Sequence, residues 1–322
     1  MRVIANLRAR QSSTSLVTVL LLAAMLLLGG ARYDGFLSLQ VMLNLLIDNA
    51  FLLVIAIGMG FVILSGGIDL SVGAVLALAT MISAWLLQVA HWPAPLVLAA
   101  VLLLGAGFGG AMGALIHCFR LQPFIVTLAG MFLARGLCYL ISIESIAIDD
   151  PLFMVLSQVQ LPFLGGFISL GALIALAMLA FAVWLAHYSA FGRAVYAIGG
   201  NEGLAALMGL PVGRTKILVY AFSGACAALA GVLFSLYMLS GYGLHALGME
   251  LDAIAAVVIG GTLLTGGYGF ILGALSGVLV LGTIQTLIAF DGTLSSWWTR
   301  IVIGVLLFVF CVVQRLMGFK TR

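Results

Sequence analysis

"FVILSGGIDLSVGAV" (Phe61–Val75) interrupts membrane-type apolar sequence with two glycines, two serines and a carboxylate. Apolar windows flank it, residues 41 to 64 on one side and 70 to 90 on the other, each long enough to cross roughly 30 Å of hydrocarbon. The stretch therefore reads as a joint between two spans. Glycines there permit φ > 0, and the backbone groups freed by the break need partners, which Ser65, Asp69 and Ser71 can supply. Two readings of Ser65-Gly66-Gly67 and the residues after it stay open. In one, the segment is a capped turn with Asp69 near the positive start of the next helix. In the other, it is a broken helix acting as a hinge, its hydroxyls and carboxylate facing a wet cavity.

The whole composition agrees with a membrane setting. The 322 residues are 64% hydrophobic and 7% charged, with a mean hydropathy of +1.30, whereas soluble domains carry about 25% charge. The fold class expected is an all-α, polytopic integral membrane protein in contact with the lipid bilayer. A net charge of +3 without any Lys/Arg run interleaved with aromatics gives no nucleic-acid surface. Cys118, Cys138, Cys226 and Cys311 lie far apart with no Cys-x-x-Cys, and the four histidines have no ligand-type neighbour at i+3 or i+4, so no metal site or disulfide framework is read. The sequence lacks Gly-x-x-x-x-Gly-Lys-Ser/Thr, Gly-x-Ser-x-Gly and His-Glu-x-x-His, and no catalytic residue is assigned.

Uninterrupted apolar windows give ten candidate spans, near 15–31, 41–64, 70–90, 95–116, 123–142, 167–187, 216–239, 251–265, 269–289 and 297–315. Arg2, Arg8 and Arg10 before the apolar run from Leu16, and Gly29-Gly30-Ala31 after it, would also suit a cleavable signal peptide. A retained first span is preferred because so many others follow. Ten crossings with the N-terminus inside put ten of the thirteen basic residues on the cytosolic side, among them Arg120, Arg193, Arg214, Lys216, Arg315, Lys320 and Arg322. Both termini are then cytosolic. Residues 143–166 become an external segment along the membrane surface, residues 188–215 the longest cytosolic loop, and 1–322 a single transmembrane domain. A local echo links "ILSGGIDLSVGA" (Ile63–Ala74) with "LLTGGYGFILGA" (Leu263–Ala274), so Thr265, Gly266 and Gly267 repeat the device of Ser65, Gly66 and Gly67. A glycine turn used twice explains the echo without an inverted repeat.

Two charges fall inside spans. Asp48 and Arg135 each lie seven residues from the outer end of a window, about 10 Å deep at 1.5 Å per residue. They are expected to pair, or to border one vestibule, since an isolated charge there is costly. In the cytosolic loop, "GGNEGLAALMGLP" reads as a short helix with Asn201 as N-cap, Glu202 at its positive start, Ala205 within it and Gly209 closing it before Pro211. Leu204, Leu207 and Met208 share one apolar face. That face could lie on the bilayer or dock into a partner protein.

"SGGIDLSVGAV", "QPFIVTLAGMFLARG", "VYAIGGNEGLAALMGL" and "IAAVVIGGTLLTGGYG" resemble the permease subunits of bacterial ABC importers for monosaccharides, the ribose and galactose type. The resemblance runs from about Leu43 to Arg315. Within the family, "DNAFLLVIAIGM", "GGTLLTGG" and "FDGTLSSWWTR" look most like a permease of the galactofuranose importers. The resemblance implies a bacterial inner-membrane protein forming half of a sugar pathway, with no cofactor of its own. It also implies that the segment from Asn201 to Gly209 couples to a separate ABC ATPase carrying ATP and Mg, that a periplasmic sugar-binding protein docks outside, and that a second, different permease chain completes the pathway. A secondary transporter driven by protons or sodium through Asp69 or Asp48 is the competing class. A membrane enzyme is disfavoured, because no paired carboxylates or ligand set appears.

Overall fold

A computed structural model describes residues 2–295 and 297–319, with side-chain surroundings for residues 16–295 and 297–312. Arg2, Arg8, Arg10, Arg315, Lys320 and Arg322, on which the expected orientation partly rests, lie outside the residues whose side chains are described. Helix α1 (Arg2–Arg32) is followed by α2 (Leu39–Ile47) and α3 (Ala50–Leu64), then α4 (Val72–Gln88), α5 (Ala94–Cys118) and α6 (Pro123–Ile141). Strand β1 (Ile146–Ala147), helix α7 (Pro151–Gln158) and strands β2 (Gln160–Phe163) and β3 (Gly166–Ser169) lead to α8 (Leu170–Tyr188). After α9 (Ala190–Gly200) and α10 (Glu202–Leu207) come α11 (Val212–Met238), β4 (Ser240–Gly241), α12 (Met249–Ile259), α13 (Gly273–Asp291) and α14 (Trp297–Phe319).

Among the described residues, α5, α6, α8, α11 and α13 are long and apolar enough to cross a membrane, and α2 with α3 makes a sixth such unit bent by 52°. Helix α4 and the described parts of α1 and α14 are apolar but shorter. This is a helical polytopic membrane protein. Two expected spans differ from continuous helices. The second breaks at Asp48 and Asn49. The eighth stops at Ile259 after eleven residues, about 16 Å at 1.5 Å per residue. Its end is set by Gly260, which packs against the backbone of Gly273, and by Gly261 at φ +97°.

Helix α11 is the central post, packed by α3, α4 and α5. On α5, glycines at 105, 109 and 113 face it, a four-residue spacing that lets two backbones close up in the manner of small-residue membrane seams. A Cβ on Gly109 would collide with the Tyr220 carbonyl oxygen. Helix α3 is buried all round from Leu52 to Leu64, which suits an apolar helix inside protein rather than one facing lipid.

The segment at 143–166 is mostly exposed but anchored to the bundle. Asp150 caps α7 by accepting from the backbone N–H groups of Leu152 (3.0 Å) and Phe153 (3.1 Å), and the Phe153 ring is fully buried against the bundle. Strand β1 pairs antiparallel with β4, and β2 with β3. These short strands carry no signal in an apolar-window reading. The ladder marks one end of the molecule; α10 lies at the other, separated by the length of α11.

Candidate coupling and pathway site

Helix α10 forms as its residue types dictate. The Asn201 side chain accepts from Leu204 N–H at 3.0 Å, and Gly209, at φ +78°, lets Leu210 N–H reach back to the Ala205 carbonyl at 3.1 Å. Ala205 is buried, while Leu204 (58% exposed), Leu207 (86%) and Met208 (77%) present an uncovered apolar face. The Lys216 ammonium donates to Glu202 at 2.6 Å and ties α10 to the first turn of α11. This half-solvated ion pair is a tether of modest strength: Lys216→Ala should lower stability by about 0.2–1 kcal/mol, a difference that high salt removes from thermal-unfolding curves of the purified chain.

The end of α9 meets both glycine-interrupted junctions. Gly267 N–H donates to the Leu64 carbonyl at 2.9 Å, so the two copies of the echoed motif touch each other. Gly199 sits between them: a Cβ there would collide with the Leu64 carbonyl oxygen and lie 2.5 Å from Gly267 N. A Cβ on Gly266 would fall 2.7 Å from the Gly66 Cα and 3.1 Å from the Gly199 carbonyl oxygen. Gly66, Gly199-Gly200 and Gly266-Gly267, from three distant parts of the chain, thus form one backbone-to-backbone knot. The Tyr196 hydroxyl donates to the Gly269 carbonyl at 3.0 Å, adding a strut from α9 to the second junction. Because α9 runs directly into Asn201, a displacement of α10 bears on the knot and on both junctions.

Asp69 is fully buried. Its carboxylate accepts from Ser71 N–H (3.0 Å), Ser71 Oγ (2.6 Å) and Ser223 Oγ (2.8 Å), and no part of the residue is exposed. The first two contacts close the turn into α4; the third binds that turn to α11. Ser65 Oγ donates to the Val62 carbonyl at 2.7 Å, and Thr127 Oγ1 on α6 donates to the Ile68 carbonyl at 3.3 Å. Ser65, Asp69 and Ser71 are all buried against protein, which bears on the two readings left open for this stretch. Their geometry is that of the capped turn.

Asp48 and Arg135 do not form an ion pair. Asp48 accepts from the Tyr237 hydroxyl at 3.4 Å, and Tyr237 lines a cavity of about 270 Å³ near the strand end with Phe51, Gln160 and Ser169. Arg135 is not part of that cavity. It donates instead to the carbonyls of Gly243 (2.6 Å) and His245 (2.7 Å) in the connection between α11 and α12. The reason is local: that connection is irregular and leaves carbonyls without helical partners, which a guanidinium satisfies at close range. Sequence reasoning missed Tyr196, Ser223 and this use of Arg135, because their partners lie 73, 154 and 108–110 residues away.

Residues 41–311 match the family described as branched-chain amino acid transport system / permease component. The chain is 51% identical over 286 residues to the inner membrane ABC transporter permease protein YjfF of Escherichia coli K12, covering 88% of this chain and 86% of that one. It is 41% identical over 313 residues to the fructose import permease protein FruG of Bifidobacterium longum (95% and 92% covered). To the ribose import permease protein RbsC of Bacillus subtilis it is 40% identical over 287 residues (87% and 86% covered). No solved structure matches the chain.

Proposed function

Since the chain belongs to the permease-component family of ABC transporters, we propose that it is the membrane-spanning subunit of an ATP-driven importer of a monosaccharide in a bacterial inner membrane. It is a conduit and not an enzyme. The observation that carries this reading is the bare apolar face of α10 joined through α9 to a knot that grips both helix junctions. The exposed face of Leu204, Leu207 and Met208 suits insertion into a groove of a partner protein. A separate ABC ATPase, which carries ATP and Mg, supplies that groove.

This reading takes α12 and the irregular residues before it as one of ten crossings and the N-terminus as cytosolic, so that α10 faces the cytosol and the strand end the periplasm. Closure of the ATPases on ATP pushes α10, the knot moves as a unit, and the junctions at Ser65–Ser71 and Thr265–Gly267 act as hinges for α3, α4, α12 and α13. A periplasmic sugar-binding protein delivers the solute, and a second, different permease chain completes the pathway. Galactofuranose is the sugar favoured by "DNAFLLVIAIGM", "GGTLLTGG" and "FDGTLSSWWTR"; the fructose and ribose permeases among the relatives support a monosaccharide more generally.

Leu204→Asp tests the coupling role. The substitution puts a charge on the exposed face and leaves the buried Ala205 contact intact. With the complete transporter in proteoliposomes, uptake should fall about tenfold, as for the loss of ~1.4 kcal/mol of docking, while the amount of inserted chain stays constant. Undiminished uptake would leave α10 a helix resting on the bilayer.

A further inference from the structure

Between β4 and α12 the chain descends into the membrane without forming a helix. Gly241 packs against Thr80 and Ala84, whereas Ala246 and Glu250 pack against Gly73 in the first turn of α4. The seven to eleven residues between those levels on α4 correspond to about 10–16 Å at 1.5 Å per residue. Along the descent, Ala246 (φ +55°) and Gly248 (φ +80°) are left-handed, and only turn-type bonds such as His245 N–H to the Tyr242 carbonyl (3.0 Å) hold the backbone. This segment supplies the depth that the eleven-residue α12 lacks.

Two arginines from different helices hold alternate carbonyls of it. Arg135 on α6 takes those of Gly243 and His245, and Arg300 on α14 takes that of Leu247 at 3.0 Å. Arg300 also lies 3.6 Å from Asp252, and its side chain is 49% exposed. Leu244 and Leu247 on the same segment are 40% and 54% exposed.

Lipid is a poor neighbour for this face. Irregular backbone at membrane depth persists only where protein covers it or water wets it, and a guanidinium with open surface is costly in hydrocarbon. The polar lining beside it suits water: Arg300, with Asp252, Gln285 and Thr299, borders an open cleft of about 580 Å³.

We infer that the segment Tyr242–Gly248, clamped by Arg135 and Arg300, lines the aqueous path, and that Leu244 and Leu247 form its apolar constriction. The inference rests on the importer reading above and deepens it by naming the surface a polyol solute passes. Carbonyls pinned by two guanidinium groups hold this constriction in place while the glycine knot at the other end moves.

The test is thiol accessibility. Leu244→Cys and Leu247→Cys are made with Cys118→Ser and Cys311→Ser, which removes the native thiols that are not buried. Leu103→Cys, on the exposed face of α5, serves as the comparison. Right-side-out vesicles bearing the complete transporter are treated with a membrane-impermeant, cationic methanethiosulfonate, and ATP-dependent sugar uptake by the same vesicles is measured separately. Labelling at 244 or 247 at least tenfold faster than at 103 is expected. Labelling no faster than at 103, with uptake intact, overturns the inference and leaves the importer reading standing. Absence of ATP-dependent uptake by the unsubstituted transporter overturns both.

Discussion

Gly199→Ala should reduce ATP-dependent uptake at least thirtyfold, while Gly200→Ala, the same change one residue on, should leave it within about twofold. The added methyl at 199 would strike the Leu64 carbonyl oxygen and crowd Gly267 N, and both are backbone atoms of the hinge segments. A flexible side chain could swing aside; these cannot, so one of the three strands of the knot must separate from the other two. Overpacking of this kind costs about 1–3 kcal/mol, and ~2 kcal/mol corresponds to the thirtyfold loss. A methyl on Gly200 has no atom within 4 Å to strike. Radiolabelled-sugar uptake in proteoliposomes, with ATP hydrolysis followed in parallel, is the measurement. Hydrolysis that persists without uptake in Gly199→Ala places the defect in transmission. Equal uptake by the two variants would show that the knot moves apart during the cycle and transmits nothing.

Asp69→Ala should be the most damaging single change to the stability of the protein. It removes the acceptor for Ser71 N–H, Ser71 Oγ and Ser223 Oγ at a fully buried position and leaves those donors unsatisfied. Each buried donor left unsatisfied costs about 1–3 kcal/mol, and the whole folded state has only about 5–15 kcal/mol. The apparent melting temperature in detergent should therefore fall by roughly 10 °C or more, with loss of the chain from the membrane fraction. Asp69→Asn separates this role from ion coupling. An amide oxygen still accepts from Ser71, so uptake should decline only in step with the melting temperature and remain dependent on ATP. If Asp69→Asn melted normally yet lost all uptake, and uptake by the native protein collapsed with an ionophore, Asp69 would be a coupling carboxylate of a secondary transporter.

Local chemistry is legible in the sequence. Asn201, Gly209 and Pro211 delimit α10 because caps act over three or four residues, and the apolar face of Leu204, Leu207 and Met208 follows from helical spacing. The echo of Ile63–Ala74 at Leu263–Ala274 marked both junctions, but not that the copies hydrogen-bond to one another or that Gly199 wedges between them. The Asp48–Arg135 pairing failed for a physical reason. Charge complementarity across helices is one way to satisfy a guanidinium in a membrane, and unpartnered carbonyls of a non-helical segment are another; the sequence does not show where such carbonyls will be.

Hydropathy and short-range residue types alone determined that this chain crosses a membrane several times, that glycine-interrupted junctions lie at Ser65–Ser71 and Thr265–Gly267, and that a short capped helix starts after Asn201. Only the tertiary structure decided that Asp69 is a buried bracket, that glycines from three distant segments meet in one contact, and that two arginines pin the descent from Tyr242 to Gly248. Caps and spans depend on neighbours in the chain, whereas those contacts depend on which backbones lack a Cβ to keep them apart and which carbonyls lack a helix to satisfy them.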